Sequence, residues 1–171
     1  MIGVEEALLR IAAGDMLIVV DDEDRENEGD LVFAAEKATP AKVNFLLKHG
    51  RGILCAPMAP EISDHLGLKP LVSDNTSKYG TPFTESVDAK RGTTTGVSAF
   101  DRTRTLLALA KPRATGSDFV RPGHVFPLRA VPGGVLRRAG HSEAVPDLCR
   151  LAGLRPVGVL CEVLAEDGHM M

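Results

Sequence analysis

The sequence predicts a single α+β domain in which a mixed β-sheet is covered by helices. Three observations carry this. The length of 171 residues fits one domain. Hydrophobic residues make up 44% and charged residues 25%, the balance of a globular protein rather than of a disordered or collagen-like chain. Apolar runs and helical periodicities alternate loosely along the chain, and no solenoid-type period repeats.

The elements follow in order. Val4, Leu8 and Ile11 at helical spacing, before Gly14, predict an opening amphipathic helix. Met16 to Val20, rich in β-branched residues, predicts a buried strand, and Leu31 to Ala35 a second one beyond an acidic stretch. Thr39 caps a helix that has Pro40 at its first position and ends at Gly50, with Val43, Leu46 and Leu47 on its buried face. Ile53 to Ala56 predicts a strand and Pro60 to Leu66 a short helix. Residues 70–96, rich in Ser, Thr, Gly and Asp, predict a long functional loop with a strand at Thr84 to Val87. Ser98 and Asp101 stand at capping-box spacing before the helix of Leu106, Leu107 and Leu109. Val125 to Ala130 predicts a strand, Asp147 to Leu151 a helix and Val157 to Val163 a strand.

Composition narrows the function. A net charge of −3 leaves no excess of Lys and Arg for a phosphate backbone, and with no Trp and one Tyr there is no stacking platform, so no nucleic-acid partner is expected. Cys55, Cys149 and Cys161 cannot all pair within the chain, which points to a reducing compartment. Glu5, Glu6 and Arg10 interrupt any signal-peptide core, and no apolar run approaches the ~20 residues of a membrane helix. The expectation is a cytoplasmic enzyme with no membrane partner.

Four constellations could carry chemistry. Seven of the ten residues from Asp21 to Asp30 are acidic, and the run lies between two apolar strands. Extended backbone would aim Glu26, Glu28 and Asp30 to one face, where crowded carboxylates call for a hard cation such as Mg2+ or Mn2+. Arg25 can pair with these acids or meet a substrate oxygen. His124 and His141 each follow a Gly with an Arg three residues earlier, an echo that places both on loops as candidate site residues. Gly92 to Gly96, with three central threonines, suggests a phosphate cradle, although such turns are also common without function. Glu162 lies in an apolar strand, so it is either an acid/base of raised pKa or the solvent face of an edge strand. Cys55 reads as a small buried hydrophobe.

Together, the stretch Val20 to Asp30, Thr93 to Gly96, Arg121 to Leu128, Arg138 to Glu143 and Gly158 to Glu162 resemble, in the same order, the 3,4-dihydroxy-2-butanone 4-phosphate synthases of riboflavin biosynthesis. The resemblance covers nearly the whole chain. It implies a mixed sheet sandwiched by helices in three layers, and conversion of D-ribulose 5-phosphate to the four-carbon ketone phosphate and formate. A metal-stabilised enediolate would be followed by dehydration, a skeletal shift and loss of formate, under a lid drawn from the acidic loop and residues 74–80. It also implies a homodimer with sites near the interface and Mg2+, two ions per site; because a His ligand suits Mg2+ poorly, Mn2+ should substitute.

By the same resemblance, Glu26 and His141 hold metal, and His124 and Glu162 are essential for the chemistry. Arg25, Glu26, Asp30, Cys55, Thr95, Glu162 and the stretch Arg138, Ala139, Gly140, His141 and Ser142 contact substrate. Ser142 stands where the family usually has Thr and keeps the hydroxyl. Pro146 implies a helix that starts later than in the family. The chain stops at Met171 where the family continues, which implies a domain over 1–171 shortened at its C-terminus; in some relatives a GTP cyclohydrolase II domain follows. Two alternatives remain: a metal-dependent sugar-phosphate isomerase or aldolase that releases no formate, and a non-catalytic module binding sugar phosphate or divalent metal.

Overall fold

A computed structural model describes residues 1–171. The helices are α1 (Val4–Ala13), α2 (Pro40–His49), α3 (Pro60–His65), α4 (Ala99–Leu109) and α5 (His141–Leu151). The strands are β1 (Leu17–Val20), β2 (Gly29–Ala34), β3 (Cys55–Met58), β4 (Val87–Ala89), β5 (Phe119–Arg129) and β6 (Gly158–Glu162). They form one six-stranded sheet in the order β1-β2-β6-β3-β5-β4, antiparallel except for the parallel pair β3/β5.

Strand alternation builds the layers. Leu31, Phe33, Ala56, Val125 and Val159 point to one face and pack with Val43 and Leu46 of α2 and Leu106 and Leu109 of α4. Val32, Cys55, Leu128 and Leu160 point to the other and pack with Val145 of α5, while Ala34 meets Ile11 of α1 and Cys149 of α5. The predicted three-layer sandwich is therefore the observed one.

Local signals set the element ends. The Thr39 hydroxyl accepts from the Lys42 amide, Pro40 opens α2 and Gly50 closes it. Gly14 adopts φ +94°, ending α1 in the left-handed conformation.

Several expectations need correction. β1 is an edge strand, covered on one face only, so Ile18 and Val20 remain 64% and 56% exposed. The strand expected at Thr84–Val87 forms instead at Val87–Ala89, with a register irregularity against β5 at its start, while Thr84 stays outside it, bridged to Pro70 and donating its amide and hydroxyl to the Pro127 carbonyl at 3.0 Å. Ser98 caps α4, but the Asp101 carboxylate turns to Thr94 and Gly96, so the box does not close. Neither histidine lies on a loop: His124 is in β5 and His141 is the first residue of α5. Helix α5 starts at His141 and runs through Pro146, because the Gly140 carbonyl closes its first turn by accepting from the Glu143 and Ala144 amides. The amide missing at Pro146 leaves one helical bond unmade, and the burial of its ring offsets that loss.

Candidate active site

The acidic pocket opens at one end of the sheet, on the α1/α5 face. The register β2/β6 sets Asp30 directly opposite Glu162, so two carboxylates stand on neighbouring strands facing the same way. His141, at the start of α5, brings Nδ1 to 3.0 Å from Asp30 Oδ2. Cys55 of β3 and Leu160 of β6 form the apolar floor, and Arg25, Glu26, Glu28, Arg138 and Ser142 complete the walls of a cavity of about 250 Å3. Two larger concavities, of about 500 and 600 Å3, contain none of these residues. Convergence of titratable side chains, not size, marks the site.

The acidic run divides in two. Asp22, Glu23 and Asp24 are solvated. Asp21 folds the rest inward: its carboxylate accepts from the Glu26 and Glu28 amides at 3.1 and 2.9 Å and from Arg25 Nη1 at 2.6 Å. Burial opposes ionisation of Asp21, but these donors and the charge of His141 outweigh it and hold its pKa below the usual range. Glu26, Glu28 and Asp30 do reach the same pocket, yet by a turn at 23–26 and a left-handed Asn27 (φ +55°) rather than by an extended strand.

The electrostatics of the pocket call for a cation. Burial, then the charges of Glu26, Asp30 and Glu162, raise the pKa of Glu28; burial, with Asp30 and Glu26, also raises that of Glu162. Glu162 Oε2 accepts from the Ile53 amide at 2.7 Å. That approach depends on Gly52, where a Cβ would lie 2.3 Å from Glu162 Oε2. Burial works to lower the pKa of His141, but the Asp30 hydrogen bond and the charges of Asp30, Asp21 and Glu26 leave it raised. Two buried polar atoms here lack a partner, His141 Nε2 and Asp30 Oδ1. A His fixed by a carboxylate on Nδ1, with Nε2 free, is the usual arrangement of an imidazole metal ligand. No three His, Cys, Asp or Glu side chains are set to hold a metal by themselves. A divalent ion here would therefore complete its shell with water and substrate oxygens.

Two cations face these acids. A Cβ on Gly140 would lie 2.3 Å from an Arg138 nitrogen and 2.9 Å from an Arg25 nitrogen, so both guanidiniums close over this glycine at the start of α5. With the helix N-terminus they present donors suited to an anion, while Arg25 also pairs with Asp21 and Glu26. Arg138 is held by the fully buried Glu143 and donates to the Tyr79 carbonyl at 3.1 Å. The Tyr79 hydroxyl donates to the Arg25 carbonyl at 2.7 Å, strapping residues 77–81 across the pocket. Ala139 is exposed and contributes only backbone between Arg138 and Gly140. Burial and nearby negative charge push the Cys55 thiol well above its ordinary pKa, so it lines the floor as a neutral group.

Thr95 and His124 lie outside this lining. His124 lies on β5 two residues before Phe126, the register partner of Cys55, and so on the same face as Cys55 and two strands over from the β6 strand of Glu162. Its Nδ1 is 2.7 Å from Asp88 Oδ2. Gly96 fits against this pair, since a Cβ there would lie 2.0 Å from Asp88 Oδ2. Thr95 is exposed beside it, while Thr94 is tied to Asp101 and Thr93 to the Ala89 carbonyl. Asp88 and Gly52 carry no sequence motif and escape a reading of the residues, while Tyr79 falls in the expected 74–80 lid and Glu143 ends the Arg138 to Glu143 stretch without a role of its own in that reading. Only the acidic pattern around Glu28 pointed to a further carboxylate.

Comparison with known proteins gives a consistent result. The family model of 3,4-dihydroxy-2-butanone 4-phosphate synthase matches residues 5–171. The riboflavin biosynthesis protein RibBA of Aquifex aeolicus is 59% identical over 98% of this chain, which spans 42% of that relative. A crystal structure of 3,4-dihydroxy-2-butanone 4-phosphate synthase in complex with two magnesium ions superposes with a TM-score of 0.94 at 47% identity, covering 96% of this chain and 76% of that one. The synthase of Candida albicans gives 0.92 at 47% identity, covering 100% of this chain and 85% of that one.

Proposed function

Because the chain belongs to the 3,4-dihydroxy-2-butanone 4-phosphate synthase family, we propose that it converts D-ribulose 5-phosphate into 3,4-dihydroxy-2-butanone 4-phosphate and formate, within riboflavin biosynthesis. The observation that carries this reading is the Asp30–Glu162 carboxylate pair, with His141 against Asp30 and the Arg25–Arg138 pair nearby. One pocket thus offers a phosphate clamp, a cation site and a proton carrier.

Arg25, Arg138 and the first amides of α5 take the phosphate, with the Ser142 hydroxyl beside them. Glu26 and His141 would hold the metal, for which the partnerless Nε2 of His141 is suited. When bound, Mg2+, two ions per site, supplies Lewis-acid polarisation of the sugar oxygens, and Mn2+ should do the same because it accepts imidazole readily. Glu162 carries the proton: its raised pKa brings it toward the working range of a general base, the Ile53 amide holds one of its oxygens, and the residue lines the cavity. Tyr79 closes the pocket from above and keeps water from reactive intermediates.

His124 acts from the rim as a second acid/base. Ile53 precedes the start of β3 and Val97 follows the Gly96 that abuts the His124–Asp88 pair, and with Phe100 they leave apolar surface exposed, at 47%, 50% and 69%. A homodimer that buries this rim would enclose His124 and set the sites near the interface. Three buried free thiols suit a reducing cytoplasm, and no helix is long and apolar enough to cross a membrane.

The test is formate release from ribulose 5-phosphate with Mg2+. Stoichiometric formate is expected. Isomerisation without formate would favour a sugar-phosphate isomerase, and binding without turnover a non-catalytic module.

A further inference from the structure

We propose that a second cleft, on the opposite face of the sheet, binds an organic phosphate of nucleotide size. It lies between α4 and the turn after β4, has a volume of about 500 Å3, and shares no residue with the acidic pocket. Arg91, Arg104, Lys111 and Arg113 rim it, above a floor that includes Leu107, Ala108 and Ala114.

None of these four cations makes an ion pair, whereas Arg10, Arg25, Arg121, Arg129, Arg138 and Arg150 all pair with carboxylates. The one acid at the rim, Asp118, accepts from the Thr115 amide and hydroxyl at 2.8 and 3.1 Å and also feels the charges of Arg91 and Lys111, so the rim sets four cations against one acid. A chain of net charge −3 thus gathers four unpaired cations around one cavity. Their mutual repulsion is relieved by an anion.

The placement is built by the fold. Arg104, Leu107 and Ala108 follow the i, i+3, i+4 spacing and share one face of α4, and Lys111 follows just beyond the end of the helix. Gly92, at φ +78°, brings the turn after β4 against Arg104, since a Cβ there would lie 2.5 Å from Arg104 Nη1. Guanidiniums bind phosphate oxygens in pairs and stack on planar rings, and the small floor residues leave a shallow apolar surface for such a ring. The volume suits one nucleotide-sized molecule.

The test is calorimetric titration of the full chain with ADP, pyrophosphate and adenosine, at low salt with EDTA. The variants are Arg138→Gln, which removes a phosphate contact of the acidic pocket, and the surface double variant Arg104→Gln/Arg113→Gln. ADP should bind wild type and Arg138→Gln alike and lose about tenfold or more in the double variant, as expected when two charge-assisted contacts go. Pyrophosphate should bind more weakly than ADP, and adenosine hardly at all. No ADP binding at millimolar concentration, full binding by the double variant, or loss in Arg138→Gln alone would overturn the proposal. Pyrophosphate binding as tight as ADP would overturn the organic class of the ligand.

Discussion

Asp88 engages His124 twice: Oδ1 accepts from its backbone amide at 2.9 Å, and Oδ2 lies 2.7 Å from its ring Nδ1. A carboxylate only accepts, so the ring hydrogen sits on Nδ1 and Nε2 is left as the reactive nitrogen. Asp88→Asn removes the charge and permits a flipped amide that stabilises the wrong tautomer. Its kcat should fall about 10–10²-fold, part of the usual worth of a positioned acid/base, with a shifted pH profile and unchanged metal affinity. An unchanged pH–rate profile would show that Asp88 merely supports the strand.

The two histidines should fail differently. His141→Ala removes a partnerless Nε2 inside the acidic pocket and should weaken Mn2+ binding, read by paramagnetic titration, by about 10–10²-fold or more. His124→Ala should lower kcat and leave Mn2+ affinity intact. Glu26→Gln should abolish turnover while the metal-free protein melts at the same or a higher temperature, since one charge leaves a crowded cluster. Equal loss of Mn2+ affinity in both histidine variants would argue against this division.

Glu162→Gln keeps the Ile53 hydrogen bond but cannot take up a proton. Its kcat should drop by about 10²–10⁴-fold, with KM little altered. Its melting temperature should hold or rise, because burial and Asp30 already disfavour the charged form. Steady-state formate release beside a thermal melt checks both clauses, and a fully active variant would move the base to Glu28.

The pH dependence of stability has a defined sign at His141. Folding raises its pKa above the ordinary 6.5, so its stabilising contribution is fully present below that value. The contribution is lost as pH rises through the folded-state pKa. Metal-free wild type should therefore lose more melting temperature than His141→Gln over that interval, with both melts recorded in EDTA. Parallel curves for the two proteins would remove His141 as the cause.

How much of this was legible depended on the distance along the chain. The ends of α2 were readable because Thr39, Pro40 and Gly50 act within one turn of the element they bound. The acidic run and the Gly-His step at His141 marked the pocket, since crowded carboxylates are costly without a counter-charge, whereas the step at His124 lies outside its lining. Edge position was not readable: the run at Leu17–Val20 has the same composition whether covered on one face or two. Asp88 meets His124 from another strand 36 residues away, and Glu162 meets Ile53 across 109, pairings that only the sheet order creates. Pro146 misled because proline propensity carries no information on the Gly140 carbonyl that starts α5 upstream of it.

Parallel neighbours need a crossover, and that between β3 and β5 occupies residues 59–118. This segment carries Tyr79, Asp88, Thr95 and the cationic cleft, while Asp30, His141 and Glu162 lie outside it. The crossover thus divides the labour of the fold: it lends the pocket its strap at Tyr79 and lends His124 its partner Asp88, while the β2/β6 ladder alone sets the two carboxylates opposite each other.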